Sequence, residues 1–168
     1  MSTDFPTQTI DITINGQPGR FEVEPRQHLV DFLRNELELT GSHLGCEHGV
    51  CGACTVKLDG AIVRGCLVLA VQADGKTVET VEGLHEAGAM RDLQEAFVQR
   101  NAMQCGFCTS GMLMAASELI EQQPDADREQ VRSFIAGNYC RCTGYHAIVD
   151  AICDVLQARR LTAEGERA

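Results

Sequence analysis

The sequence predicts an α+β fold, with a strand-rich domain at residues 1–82 followed by a helical domain at residues 83–168. Two observations predict this class. Before Glu82-Gly83, apolar residues alternate with polar ones, which is the period of half-buried strands. Beyond that point apolar residues recur at every third or fourth position, which is the period of amphipathic helices. Cysteines cluster in both parts, so each domain is expected to carry a site of its own.

A β-hairpin opens the first domain. Isoleucines alternate with polar residues over residues 10–14, and Asn15-Gly16 starts a turn. The alternation resumes over residues 21–24 and stops at Pro25, which cannot donate to a β-ladder. Residues 26–39 have helical spacing, which predicts a helix of about three turns on the hairpin. Further short strands are predicted at residues 55–58, 61–63, 66–71 and 78–81, and this order indicates a unit of the β-grasp kind.

Four amphipathic helices are predicted in the second domain. Their apolar positions fall within residues 93–98, 112–120, 131–135 and 148–156. Pro124 closes the second helix and Gly137 ends the third. Cysteines come directly before the second and fourth helices, which suggests an internal pseudo-repeat. From Arg159 to Ala168 the chain is charged and loses its periodicity, so this tail is predicted to fray or to lie on a partner.

Composition excludes several classes of protein. The chain has 168 residues, 44% of them hydrophobic and 23% charged, as in soluble globular proteins. A net charge of −10 argues against nucleic-acid binding, because a phosphate backbone requires clustered Lys and Arg. No apolar run reaches the roughly 18 residues that span a membrane, and the first residues do not resemble a secretory signal. The protein is therefore expected in the cytoplasm, with no transmembrane segment.

Nine cysteines are the anomaly in this composition. Their odd number and tight clustering disfavour a disulfide framework, so metal ligation is the favoured interpretation. Cys46, Cys51 and Cys54 have the spacing C-x4-C-x2-C, and Cys66 follows after eleven intervening residues. This is the plant-type spacing of thiolates that hold a [2Fe–2S] cluster. Three glycines in the same loop permit a tight turn and let amide N–H groups approach the sulfurs.

Four further cysteines form a C-x2-C pair and a C-x-C pair, each where a helix begins. They are Cys105, Cys108, Cys140 and Cys142. Free N–H groups and the positive end of the helix dipole stabilise thiolates and sulfides at such positions. Two helix starts that face each other would form one four-thiolate site. The ninth cysteine, Cys153, lies on the apolar stripe of the last helix and is predicted to be a small buried residue.

Zinc held by four thiolates is the alternative at each site. Structural zinc sites usually pair two C-x2-C knuckles, which neither group does, and a [2Fe–2S] unit suits the longer loop better. A Rieske centre needs two histidine ligands, and His48 has no second histidine in the required pairing. No glycine-rich nucleotide motif is present, so the chain is predicted to carry electrons without a substrate pocket of its own.

Three stretches of the sequence together carry a family resemblance. They are GCEHGVCGACTV at residues 45–56, QCGFCTSG at 104–111 and GNYCRCTGY at 137–145. Over about residues 8–158 the chain resembles the iron–sulfur subunit of the molybdenum hydroxylases, the xanthine dehydrogenase and aldehyde oxidase family. This family includes bacterial carbon monoxide dehydrogenases and N-heteroaromatic hydroxylases with three separate subunits. Ser110 departs from it, since many relatives have proline there; the change bears on loop rigidity and not on ligation.

The resemblance implies a ferredoxin-like β-grasp domain with an outer [2Fe–2S] cluster and a four-helix bundle with a second cluster nearest to molybdenum. The implied outer ligands are Cys46, Cys51, Cys54 and Cys66, and the implied inner ligands are Cys105, Cys108, Cys140 and Cys142. It further implies that Gln104 hydrogen-bonds the pterin and that Cys142 is the ligand closest to it.

The resemblance also implies partner subunits. In such enzymes a large subunit binds molybdopterin, here implied as the cytosine dinucleotide form, and a medium subunit binds FAD. Electrons would pass from molybdenum through the inner and then the outer cluster to FAD, in a heterotrimer or a dimer of heterotrimers. A free-standing diffusible ferredoxin is the alternative, and the helical domain argues against it because one ferredoxin-like domain would suffice. Carbon monoxide, an aldehyde, a purine and an N-heteroaromatic ring all stay open as substrates of the assembly.

Overall fold

The computed structural model describes residues 5–165, and residues 1–4 and 166–168, at the two ends of the predicted domains, lie outside this range. Its first half contains one five-stranded sheet with the order β2-β1-β5-β3-β4. Strands β1 and β5 are parallel, and the other neighbouring pairs are antiparallel. The strands are β1 (Gln8–Ile14), β2 (Gln17–Val23), β3 (Thr55–Leu58), β4 (Ala61–Arg64) and β5 (Thr77–Glu79). The predicted α+β class is confirmed.

The predicted hairpin of β1 and β2 is present, and its turn suits the twist of paired strands. Asn15 and Gly16 both have left-handed backbone angles, with φ of 50° and 79°, as a two-residue I′ turn requires. The alternating isoleucines of β1 are buried together with Phe32 of helix α1 (Leu29–Asn35). The sheet and this helix therefore share one apolar core.

Helix α1 is shorter than the helix predicted at residues 26–39. Beyond it Glu38 takes a left-handed conformation, with φ of 57°, which ends helical geometry. Arg34 Nη1 donates to the carbonyl oxygens of Thr40 over 2.6 Å and Ser42 over 2.7 Å, so the helix fixes the start of the cysteine-rich loop. Two leucines after the helix still pack on the sheet core, which explains why the apolar pattern overstated its length.

The strand predicted at residues 66–71 is wrong. This stretch forms turns and one isolated bridge, followed by a 3₁₀ helix at Ala70–Ala73. Its backbone binds the start of α1 and not a neighbouring strand, since Leu29 N–H donates to the Val68 carbonyl over 2.7 Å. Most of its apolar side chains nevertheless pack on the sheet core. An apolar run signals burial, and here burial is achieved without a strand.

The second half is helical and has a core of its own. The four predicted helices are α3 (Arg91–Gln99), α4 (Thr109–Gln122), α5 (Arg128–Ile135) and α6 (His146–Gly165), and the short helix α2 (Val81–Glu86) precedes them. The tail predicted from Arg159 continues α6 as far as the described residues extend, and Arg159 forms an ion pair with Asp92 of α3 over 2.8 Å. No helix in the described range is long and apolar enough to cross a membrane.

Helix α4 joins the bundle to the sheet. Its residues 111–120 are all buried, and it packs on β3 and β4 as well as on α2, α3 and α5. Two polar contacts lie in this interface. Lys57 Nζ, on a side chain only 5% exposed, donates to Glu121 over 2.6 Å. The buried Glu118 carboxylate accepts the Ile62 N–H over 3.1 Å. Polar pairing and apolar packing together hold the two halves in contact.

Candidate metal centres

The first group of cysteines lies in and beside the loop between α1 and β3. Cys54 and Cys66 are buried, whereas Cys46 and Cys51 are partly exposed. The backbone N–H groups of His48 and Cys51 each donate to Cys46 Sγ over 3.4 Å. The loop therefore directs amide donors at a cysteine sulfur, as the glycines in it had led us to expect.

Amide donors and burial act on these thiols in opposite directions. The N–H groups of Cys51 and then His48 lower the pKa of Cys46 to about 6, so its sulfur is readily a thiolate. Burial raises the pKa of Cys54 to about 11, and the adjacent Cys66 sulfur contributes to the rise. A bound metal deprotonates a coordinating thiol outright, so a high pKa in the metal-free thiol does not oppose ligation.

The second group of cysteines meets where two helices begin. One pair precedes α4 and the other precedes α6, and Cys142 Sγ lies 3.6 Å from Cys105 Sγ. Burial, and then contact with the Cys140 sulfur, raise the pKa of Cys108 to about 12. The structure thus brings together the two pairs that the sequence suggested would face each other, and their role as cluster ligands stays a prediction.

The loop after Cys140 turns back on that residue. Thr143 Oγ1 donates to Cys140 Sγ over 3.1 Å, and Tyr145 Oη accepts the Cys140 N–H over 2.8 Å. Burial raises the pKa of Cys140, but the hydrogen bonds from Thr143 and the loop amides outweigh it, so the pKa lies below its ordinary value. Sequence reasoning did not single out Thr143 or Tyr145, and their places in the motif at residues 137–145 were the sole signal.

The second group opens on to the surface. Gln104, Cys105 and Cys142 are exposed, and the neighbouring aromatic rings of Phe107 and Tyr139 are exposed as well. The predicted contacts of Gln104 and Cys142 with a cofactor in another subunit need such exposure, and they stay predictions. Of the residues set aside, His48 is exposed, and Cys153 is partly buried against the bundle core.

Hydrogen bonds connect the loops of the two cysteine groups. Tyr139 N–H donates to the carbonyl oxygen of Cys51 over 2.8 Å. The adjacent Asn138 is buried; its Nδ2 donates to the Gly52 carbonyl over 3.1 Å, and its Oδ1 accepts from Arg64 Nη2 over 3.2 Å. The hydrogen bond from Tyr139 therefore links a cysteine of the first group to the residue directly before the C-x-C pair of the second group. The sequence did not predict this junction, because it depends on contacts between distant segments.

The junction leaves no room for side chains at two glycines. A Cβ built on Gly111 of α4 would lie 2.1 Å from the carbonyl oxygen of Gly52. Gly52 itself has φ of 77°, and a Cβ there would lie 2.7 Å from the Asn138 side chain. The helix and the cysteine-rich loop therefore meet backbone to backbone.

Asn138→Ala is expected to lower the free energy of unfolding by about 2 kcal/mol, because the buried side chain would lose two hydrogen bonds, one to the Gly52 carbonyl and one from Arg64. The midpoint of thermal unfolding should fall by about 6 °C. Asn35→Ala, at an exposed position near the end of α1, is the matched control and should leave the midpoint nearly unchanged. Equal midpoints for the two variants would show that the junction contributes little to stability.

The residues present fit two [2Fe–2S] clusters. Thiolates are the ligands of these clusters, and each group supplies four cysteines. Thr109, directly after Cys108, has a buried hydroxyl with no hydrogen-bond partner in the described part of the chain, and a cluster sulfur is an acceptor that could satisfy it. Within residues 5–165 no three His, Cys, Asp or Glu side chains meet as closely as a single ion requires. A two-iron cluster does not need that geometry, because its four thiolates are divided between two irons.

Comparison with known proteins assigns each half of the chain to a family of iron–sulfur binding domains. A family model described as a 2Fe-2S iron-sulfur cluster binding domain matches residues 12–84, and one described as a [2Fe-2S] binding domain matches residues 80–153. The chain is 52% identical over 156 residues to the nicotine 6-hydroxylase small subunit of Paenarthrobacter nicotinovorans, covering 92% of this chain and 94% of the relative. It is 41% identical to the xanthine dehydrogenase iron-sulfur-binding subunit of Escherichia coli O157:H7, covering 88% of this chain and 94% of the relative. The chain belongs to the iron–sulfur subunits of the molybdenum hydroxylases, in the xanthine dehydrogenase family.

Solved structures agree with this membership of the molybdenum hydroxylase family. One chain of quinoline 2-oxidoreductase from Pseudomonas putida 86 superimposes with a TM-score of 0.85 at 51% identity, covering 92% of this chain and 96% of that one. The resemblance stated from the three motifs is thereby confirmed, as is the succession of a β-grasp ferredoxin-like domain and a helical domain. As an iron–sulfur subunit of this family, the protein is a component of an oxidoreductase.

Proposed function

We propose that this chain carries electrons one at a time from a molybdopterin cofactor in a large subunit to FAD in a medium subunit. The observation that carries the proposal is the junction of the two cysteine groups, in which Tyr139 N–H donates to the Cys51 carbonyl over 2.8 Å. A [2Fe–2S] cluster accepts and returns single electrons when bound, which suits the division of two-electron chemistry into single steps. The hydrogen bond between the two cysteine loops would keep two such clusters close together, which supports electron transfer between them.

The ligand sets proposed are the two groups of four cysteines described above. Family membership and the two converging groups of thiols support them. We also propose the division into residues 1–82 and 83–168, each with one cluster. It is supported by the end of β5 at Glu79, the start of α2 at Val81 and the overlap of the two family matches at residues 80–84.

The second group is proposed to face the large subunit and the first group the FAD subunit. Gln104 and Cys142 are exposed, so a pterin in a partner could reach them. At the first group, Val50 within the cysteine-rich loop and Leu67 beside Gly49 of that loop are exposed apolar side chains. Apolar side chains at the surface around both groups support docking of a partner at each, in a heterotrimer or a dimer of heterotrimers.

The compartment and the substrate class complete the proposal. We propose the cytoplasm as the compartment, because the eight cysteines proposed as cluster ligands have to stay reduced until the clusters are loaded, and a reducing compartment keeps thiols in that state. Nicotine 6-hydroxylase and quinoline 2-oxidoreductase are named for N-heteroaromatic compounds, and similarity to them supports a substrate of this class, bound by the large subunit. The molybdopterin is proposed in its cytosine dinucleotide form.

Metal analysis and co-purification test the proposal. The full chain should contain about four iron and about four acid-labile sulfide, as two [2Fe–2S] clusters require. Purified from its native source, it should come with molybdenum and flavin. Zinc without sulfide would overturn the iron–sulfur assignment. Iron and sulfide without associated molybdenum or flavin would instead support the free-standing ferredoxin.

A further inference from the structure

Three hydrogen bonds form a closed ring that begins and ends at Cys140. The Thr143 hydroxyl donates to Cys140 Sγ over 3.1 Å, and Tyr145 N–H donates to Thr143 Oγ1 over 3.2 Å. The Cys140 N–H then donates to Tyr145 Oη over 2.8 Å. Each residue of this ring is held by a hydrogen bond to the next, so the Thr143 side chain is kept in one rotamer.

The ring also fixes the direction of the Thr143 hydroxyl hydrogen. Because Thr143 Oγ1 accepts from the amide of Tyr145, one of its lone pairs is occupied and its own hydrogen is free to point at the sulfur. Tyr145 has φ of 68°, a left-handed conformation that is rare for an aromatic residue. Backbone strain of this kind persists where the surroundings hold it in place, and it clusters at functional sites.

The Thr143 hydroxyl gives Cys140 a hydrogen bond of a kind that the other cysteine sulfurs in residues 5–165 do not receive. Among the hydrogen bonds of residues 5–165, the bond from Thr143 to Cys140 is the one in which a hydroxyl donates to a cysteine sulfur. The sequence Cys142-Thr143 has a counterpart at Cys108-Thr109, but there the threonine hydroxyl is buried with no partner among the described residues. The two helix starts therefore differ in the acceptor of their threonine hydroxyl: at Thr143 it is a cysteine sulfur, whereas the Thr109 hydroxyl contacts no cysteine sulfur and could reach only a sulfur of the cluster itself.

We propose that Thr143 is a positioning residue that raises the reduction potential of the second centre. The proposal rests on the proposed role of Cys140 as a cluster ligand. One-electron reduction adds negative charge to a cluster, and part of that charge falls on the cysteine sulfurs. A donor held against Cys140 Sγ stabilises the reduced state more than the oxidised one, and hydrogen bonds to the sulfurs are among the factors that set such potentials. The electron is the only particle transferred, and the hydroxyl keeps its proton.

Redox titration followed by EPR tests the proposal on the full chain with its clusters loaded, or on its native assembly. Thr143→Val removes the hydroxyl at nearly constant volume, and Thr143→Ser, the matched control, retains it. In T143V the ratio of reduced to oxidised second centre at a fixed potential should fall about tenfold, equivalent to about 59 mV for one electron. In T143S the ratio should stay within about twofold of the parent, and in both variants the other centre should keep its potential.

Every outcome of this experiment bears on one of the two proposals. A T143V potential equal to that of the parent, or a T143S potential shifted as far as that of T143V, would overturn the role of the hydroxyl. If T143V loads poorly, Thr143→Ala removes the hydroxyl without crowding the loop. Loss of the cluster from both of these variants, with T143S fully loaded, would assign the hydroxyl to assembly and overturn its role in the potential. A parent chain without iron and sulfide would overturn the proposed function itself.

Discussion

Cys142→Ser is expected to remove or reshape one of two EPR signals of the reduced protein and to leave the other unchanged. Serine oxygen is a harder ligand than thiolate sulfur and suits an iron–sulfur cluster less well. Cys142 belongs to the group formed by the two helix starts, where its sulfur lies 3.6 Å from Cys105 Sγ. Low-temperature EPR of the dithionite-reduced chain measures both signals, together with iron and sulfide content.

Two further variants serve as partner and control for Cys142→Ser. Cys66→Ser, at a buried position of the first group, should affect the signal that Cys142→Ser leaves intact. Cys153→Ser changes a cysteine outside both groups and should leave both signals as they are. If Cys142→Ser changed both signals equally, the division into two groups of four would be wrong. The signal altered by Cys142→Ser is also the one whose potential should shift in T143V.

Gly111→Ala is expected to have the largest effect on stability, a loss of about 3 kcal/mol in the free energy of unfolding. The added Cβ would lie 2.1 Å from the carbonyl oxygen of Gly52, so one backbone segment has to move away from the other. Such a shift would also strain the neighbouring bond from Asn138 to the same carbonyl, 3.1 Å long in the structure. Denaturant unfolding of the full chain measures the loss.

The control for Gly111→Ala is Gly165→Ala, at the end of α6, where a built Cβ meets no atom of the described residues within 4 Å. This variant should match the parent or be slightly more stable, because alanine costs less chain entropy than glycine in a helix. The magnetic coupling between the two reduced clusters gives a second readout. It should weaken in Gly111→Ala, since the loops that carry the two groups would separate. Unchanged stability and unchanged coupling would show that α4 and the loop are not pressed together in solution.

The sequence predicted the cysteine groups because their chemistry is encoded in local spacing. The C-x4-C-x2-C loop and the helix starts at Cys105 and Cys140 are each visible within a few residues, and four of the five helices in the second half were evident from their period. Helix α2, with six residues, is too short for a periodic pattern to emerge. The prediction of a strand at residues 66–71 was wrong because this stretch buries most of its apolar side chains in the sheet core while its backbone forms turns and the start of a 3₁₀ helix.

The contacts that link the two groups could not be predicted in this way. Asn138 and Arg64 are 74 positions apart in the chain, and only the folded structure lets Arg64 donate to the same side chain that donates to the Gly52 carbonyl. The same holds for the stacked rings of His43 and Phe107, whose centroids lie 4.8 Å apart. Such contacts depend on how the sheet and the bundle meet, and a single sequence contains no periodic trace of that arrangement.

The buried lysine on β3 bears on how the chain could be divided by protein engineering. A shortened chain that ended after β5 would keep only the first group of cysteines and would lack Glu121. The Lys57 ammonium, on a side chain 5% exposed in the whole protein, would then have no counter-charge. The apolar surface that α4 covers on β3 and β4 would meet water at the same time. A minimal one-cluster electron carrier cut from this chain would therefore need a redesigned surface on these strands before it could remain monomeric.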